Sequence, residues 1–194
     1  MIIKGMTANC TVSMHFWNNI PKNISKLTFT DSNIDQEVLG DLGLHLMTNE
    51  CLINELTLDG IDLSKKNFMC CLPPVTRVKK LWLRFCRLGD AGVDRISETL
   101  QCQGDDFCDK GETRTLQLLN LDCNGITCAG VKTLAQVLRA NRTLRILSLA
   151  KNAIKDEGAL ALVNVLSKFA LTEDELRWKN TRELRRTRIL EWTY

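Results

Sequence analysis

Nine cysteines and two histidines are the residues of this chain whose types suit nucleophilic, redox or metal chemistry. The cysteines stand at positions 10, 51, 70, 71, 86, 102, 108, 123 and 128. A tetrahedral metal site is usually announced by closely paired ligands, but no C-x-x-C occurs, and His15 and His45 lie far apart. Cys70 and Cys71 precede Pro73 and Pro74 with no identifiable base nearby, so they read as packing at a helix end. Asp105, Asp106, Asp109 and Glu112 gather carboxylates without the spacing of a calcium loop, which leaves a solvated acidic stretch. Neither a phosphate-cradling glycine loop nor a dinucleotide fingerprint is present. No catalytic residue, metal or cofactor is therefore expected, and the chain reads as non-enzymatic.

Composition narrows the class further. The 194 residues are 44% hydrophobic and 25% charged, the balance of a folded domain with a sizeable core. A net charge of +3 gives no field that argues for nucleic acid or an anionic membrane as partner. An odd cysteine count excludes complete pairing within one chain. The first seventeen residues, MIIKGMTANCTVSMHFW, hold no apolar run of signal-peptide length, so a reducing, cytoplasmic setting with buried thiols is the expectation. The sequons at Asn9, Asn23 and Asn141 then read as coincidences.

The elements that must position these residues come from an internal repeat. Leu144, Leu147, Leu149, Asn152 and Ile154 fall in the same frame as Leu116, Leu119, Leu121, Asn124 and Ile126, at an offset of 28 residues. The frame recurs upstream as Val78, Leu81, Leu83, Cys86 and Leu88, then Ile53, Leu56, Leu58, Ile61 and Leu63, then Ile24, Leu27, Phe29, Ser32 and Ile34. This is the leucine-rich-repeat pattern. Its L-x-L alternation places apolar side chains inward from a short strand, and the Asn or Cys slot ties the turn that follows. Ser32 is a weak substitute there and Ile61 none, so the second turn is expected to be the least regular.

After each frame a helical stripe follows: Val93, Ile96 and Leu100; Val131, Leu134, Ala135 and Leu138; Leu160, Val163 and Leu166. Gly92, Gly130 and Gly158 recur four residues past the last framework position, where they would let the helix start close to its neighbour. The fold expected is an α/β solenoid of about five repeats of the ribonuclease-inhibitor-like class, with a curved parallel sheet inside and helices outside. Residues 24–171 form it, after an N-terminal cap segment at 1–23. Its third and fourth frames are 38 residues apart, so an insertion lies at 101–115, bracketed by Cys102 and Cys108, read as free thiols. Residues 172–194, opened by the capping box Thr172 to Glu175, form a basic helix that caps the solenoid or docks a partner.

Outward strand positions stack into rows: Thr28, Thr57, Trp82, Asn120 and Ser148; Thr30, Asp59, Arg84, Asp122 and Ala150; Asp31, Gly60, Phe85, Cys123 and Lys151. Trp82, Arg84 and Phe85 thus form an exposed aromatic and basic cluster, with Arg84 between Asp59 and Asp122 on strands about 4.8 Å apart. These residue types at the centre of a concave surface mark a protein-binding hot spot.

The stretches LSLAKNAIKDEGALALVNVLSKFALTEDEL, CLPPVTRVKKLWL and LRANRTLRILSLA go beyond the generic repeat. They resemble the repeat region of the leucine-rich-repeat-containing protein seventy-one family, over roughly residues 55 to 180. The resemblance implies an axonemal structural or adaptor role in motile cilia and sperm tails, with a protein partner and no site residues carried over. Two other roles suit this repeat class. A GTPase-activating regulator would need an exposed arginine or asparagine at a rim, for which Arg84 between two aspartates is poorly free, and a ribonuclease-inhibitor-like blocker of a basic enzyme would want a strongly acidic face.

Overall fold

The structure, a computed structural model, describes residues 2–4, 23–48, 50–72, 77–102, 116–141 and 143–167, with 172–173, 176–177, 180 and 184 beyond them. The insertion from 103 to 115, Cys10, Cys108, Pro73, Pro74 and most of segments 1–23 and 172–194 lie outside the described residues.

Six strands form one parallel sheet in sequence order: β1 (Ile2–Lys4), β2 (Lys26–Thr30), β3 (Glu55–Asp59), β4 (Lys80–Trp82), β5 (Leu118–Asn120) and β6 (Ile146–Ser148). Their connections hold α1 (Gln36–Met47), a single 3-10 turn (Met69–Cys71), α2 (Gly89–Cys102), α3 (Cys128–Leu138) and α4 (Asp156–Leu166). This is the solenoid that the five frames require, and β1 adds a strand that they do not mark. The frames stand in register, Leu56 beside Leu81 and Leu119 beside Leu147. Leu27, Phe29, Leu56, Leu58, Leu81, Leu83, Leu119 and Leu121 are fully or almost fully buried between sheet and helices.

The turn after each strand follows one rule. Asp31, Gly60, Phe85, Cys123 and Lys151 all adopt φ between +52° and +71°. The N–H of one such residue donates to the next turn: Asp31 to the Asp59 carbonyl, Gly60 to Arg84, Phe85 to Asp122 and Cys123 to Ala150, at 2.8–3.1 Å. The second turn is as regular as the others, contrary to the expectation drawn from Ile61. Its left-handed residue is a glycine, which takes that conformation without strain. Its Leu63 N–H finds the Cys86 carbonyl at 3.0 Å, and Ile61 itself fills the core. Additional left-handed residues fall in the third and fourth turns, at Arg87, Gly89 and Gly125.

The slot side chains act as the repeat chemistry requires. Asn124 Nδ2 donates to the Leu83 carbonyl at 2.6 Å, and its Oδ1 accepts from the Cys86 and Leu88 N–H groups. Asn152 repeats this one turn later, donating to Leu121 O and accepting from Asn124 and Ile126 N–H. Cys86 Sγ donates to Leu58 O at 2.8 Å, the same role with one donor fewer. Burial pushes its thiol up to about 12, against the partial relief of the Ile61 N–H.

Helix stacking is tight where the recurring glycines sit. A Cβ at Gly130 would stand 3.2 Å from the Asp90 Cα, so α3 can approach α2 only without a side chain there. Asp90 joins the same two helices by accepting from the Thr127 N–H at 2.8 Å and its hydroxyl at 2.6 Å.

Two expectations need correction here. Leu160, Val163 and Leu166 do not face inward; they are 59%, 58% and 87% exposed. At the 28-residue offset, Leu160 corresponds to the exposed Lys132, whereas Val163 and Leu166 correspond to Ala135 and Leu138. The latter two occupy core-type positions that no further described repeat covers. Cys70 and Cys71 lie in the 3-10 turn rather than at a helix end, because only fourteen residues separate Leu63 from Val78. Cys71 is buried there, and the Cys70 sulfur together with burial pushes its thiol well up.

Candidate functional site

The concave face is built by strand alternation alone, because each inward leucine leaves its neighbours facing out. Register sets Thr57, Trp82, Asn120 and Ser148 side by side, as the stacked rows require. Trp82 is half-buried rather than open, with the Lys26 ammonium 5.5 Å from its ring centroid. That cation lies within the range at which the ring's electron-rich face attracts it.

Arg84 and Asp59 form the best-defined contact of the site. The guanidinium donates from Nε at 3.0 Å and from Nη2 at 2.6 Å to Asp59 Oδ2, and the Arg84 N–H donates to Oδ1 at 2.9 Å. Asp59 is 7% exposed, so its carboxylate is a buried anchor and not a surface acid. The hydrogen bonds to Asp59 are the chief cause of the raised Arg84 pKa.

Asp122 stands on the other side without a hydrogen bond to Arg84 among those described. Its Oδ1 accepts from the Ser148 hydroxyl at 2.6 Å and from the Ala150 N–H at 2.7 Å. Burial would raise the Asp122 pKa, but these donors outweigh it and the net shift is downward, with Arg84 adding its charge. The sequence placed Arg84 between two acids; the structure commits its guanidinium to Asp59.

Phe85 is the most exposed member of the cluster, at 59%. It lines an open groove of about 710 Å³ with Asp31, Gly60, Asp62, Arg87 and Cys123. A bulky residue at φ +58° is disfavoured on steric grounds, and no described contact of its ring compensates.

The sequence reading passed over one row of this face. Lys26, Glu55, Lys80, Leu118 and Ile146 are in register one residue pair before the Trp82 row. Lys80 bonds to Glu55, holding that carboxyl below its usual range, and Lys26 lies 3.6 Å away. Leu118 is half-buried and Ile146 is 56% exposed, so the two form an apolar strip across β5 and β6, with Trp82 diagonal to Leu118 in the next row. Period-two alternation, extended one position before the first strand leucine, carries the signal for this row.

Among the described residues, no three His, Cys, Asp or Glu side chains converge to hold a metal. Cys51, Cys70, Cys71, Cys86, Cys123 and Cys128 are thiols, and no helix among the described residues is long and apolar enough to cross a membrane.

Comparison with known proteins fits this architecture. The family model described as Leucine Rich repeat matches residues 113–135 and 140–163. The chain is 32% identical to pig (Sus scrofa) ribonuclease inhibitor over 155 residues, which is 73% of this chain and 31% of that protein. It is 25% identical to mouse (Mus musculus) NACHT, LRR and PYD domains-containing protein 14 over 160 residues, 79% of this chain and 15% of that one. A solved structure of the leiomodin-1 actin-binding site 2 has a TM-score of 0.44 at 17% identity, over 93% of this chain and 94% of its own. The chain spans about a third or less of the curated relatives it matches. The fold is that of an α/β leucine-rich-repeat solenoid, and the chain is similar to ribonuclease inhibitor over part of that protein's length.

Proposed function

We propose that this chain is a non-enzymatic scaffold that binds a protein partner on its concave face, through Trp82, Arg84 and Phe85 with Asp59 and Asp122 as supports. The observation that carries the reading is Phe85, an aromatic ring 59% exposed on a left-handed backbone that favours glycine. Stability alone would select a smaller residue there, as the second turn does with Gly60. Arg84 adds a guanidinium already oriented by Asp59, so a partner need not order it. Aromatic and arginine side chains with a fixed geometry are the anchors from which interface energy comes.

The resemblance to the leucine-rich-repeat-containing protein seventy-one family favours a cytoplasmic adaptor or structural role at the ciliary axoneme. A second reading, a blocker of a ribonuclease-type enzyme, draws support from the 32% identity to pig ribonuclease inhibitor. An RNA-cleavage assay with a pancreatic-type ribonuclease separates the two, and inhibition by the chain would favour the second. A GTPase-activating role would require Arg84 to leave Asp59, and a GTP-hydrolysis assay showing no stimulation would remove it.

The scaffold reading is tested by partner recovery from ciliated-cell extract with wild type, Trp82→Ala/Arg84→Ala and Phe85→Gly. Phe85→Gly should raise folding stability by about 1 kcal/mol, because the backbone strain is relieved. The same substitution should reduce partner recovery, and the double variant should abolish it. Unchanged recovery with both variants would sink the concave site.

A further inference from the structure

The concave face is electrically lopsided along the strands. At the edge where the strands begin, the backbone joins Asn54, Lys79, Gln117 and Arg145 in one row: Lys79 N–H to Asn54 O, Gln117 N–H to Lys79 O, and Arg145 N–H to Gln117 O. Lys79 and Arg145 are exposed there, and no carboxylate among the described residues pairs with either. Lys26 and Lys80 stand in the next row and share Glu55. Among the described residues, four cations therefore meet one carboxylate along this edge. At the opposite edge, where the strands turn, Asp31, Asp59, Asp62 and Asp122 stand among Arg84, Arg87 and Lys151, with Arg84 paired to Asp59 and Arg87 to Asp62, so charges of both signs mix there.

The apolar strip of Leu118 and Ile146, with Trp82 diagonal to it, lies directly against the basic edge. The three residues occupy adjacent strands, so together they span about 10 Å. Trp82 already carries a cation over its ring, which discourages a second cation there.

We infer that the strand-start edge of the concave face binds an acidic protein segment whose apolar side chains seat on Trp82, Leu118 and Ile146 while its carboxylates reach Lys79, Lys80 and Arg145. This rests on the concave-face reading and adds the partner's chemistry to it. Both cations and strip are partly solvent-exposed, so binding should weaken as ionic strength rises.

The test is selection from a random-peptide phage library on purified wild-type chain and on Lys79→Glu/Arg145→Glu. Wild type should enrich peptides that combine Asp or Glu with Leu, Ile, Phe or Trp. A synthetic copy of one such peptide should bind the charge-reversed variant about tenfold more weakly, and that variant should select peptides of the opposite charge. Ile146→Ser should weaken the same peptide without altering the charge preference. No enrichment, or enrichment without an acidic bias, would overturn the inference. If Trp82→Ala/Arg84→Ala abolishes partner recovery while Lys79→Glu/Arg145→Glu leaves it intact, the scaffold reading stands and the acidic-partner inference alone fails.

Discussion

In the first two turns, Ser32 and Ile61 stand where Asn124 and Asn152 stand in the last two, yet Leu27, Phe29, Leu56 and Leu58 are completely buried. The fifth turn has a full set of framework residues, but Leu147, Leu149 and Ile154 are only half-buried. Fidelity to the repeat therefore does not set burial, since the fourth turn keeps the same full frame as the fifth and its Leu119, Leu121 and Ile126 are completely buried. The slot residue decides how a turn satisfies its own polar groups, and a backbone carbonyl or a thiol can replace it. Burial depends on having a neighbour on both sides, which the fifth turn does not have among the described residues.

The largest test of this contrast is paired truncation. Leu58→Ala should destabilise the fold by about 3 kcal/mol, because a cavity opens in a core that cannot collapse. Leu149→Ala should remove only about 1 kcal/mol, since its site is half open to water already. Equal shifts in urea midpoint would break the contrast. Next in size is the slot itself. Asn124→Ala leaves the buried Cys86 and Leu88 N–H groups without an acceptor and should cost about 2 kcal/mol. Asn152→Ala should cost about 1 kcal/mol, because its partners lie nearer solvent.

A smaller effect concerns the joint between the second and third helices. Burial would raise the Asp90 pKa, but hydrogen bonds from Thr127 and the Gly130 N–H outweigh it and hold the carboxyl low. Its folded value thus lies below the unfolded one. The stabilisation is present above the unfolded value and is lost as pH falls through the folded value. Asp90→Asn should lower the urea midpoint at neutral pH by less than about 1 kcal/mol equivalent and flatten the acid limb of the stability curve. An acid limb unchanged by this substitution would remove Asp90 from the account.

These residues also show what the sequence could and could not disclose. The frames from Leu27 to Leu149 fix the strands and their order because the spacing leaves a single inward alternation. Trp82 and Arg84 are legible as outward positions for the same reason, whereas Phe85 has the parity of the leucines and lies on the left-handed turn after the strand. The partner of Arg84 is not legible, because alternation gives the row but not the rotamer, and Asp59 and Asp122 flank it equally in one dimension. On the last helix Leu160 reads as inward only because Leu162, Val163, Val165 and Leu166 beside it make the helix apolar on nearly every side, while Val163 and Leu166 hold core-type positions with no described neighbour to cover them. Such a helix has no unique inward face until its neighbour is placed. Leu118 and Ile146 were missed as surface residues because leucine and isoleucine in this repeat are read first as core.

The most direct measurement of the central claim is photocrosslinking from the two faces of the same repeat. A photoreactive amino acid is placed at Phe85, on the exposed concave turn, or at Glu98, on the exposed face of the helix behind it. Adducts with a discrete partner should form from position 85 and not from position 98. Equal labelling from both positions, or labelling from 98 alone, would contradict a concave binding face.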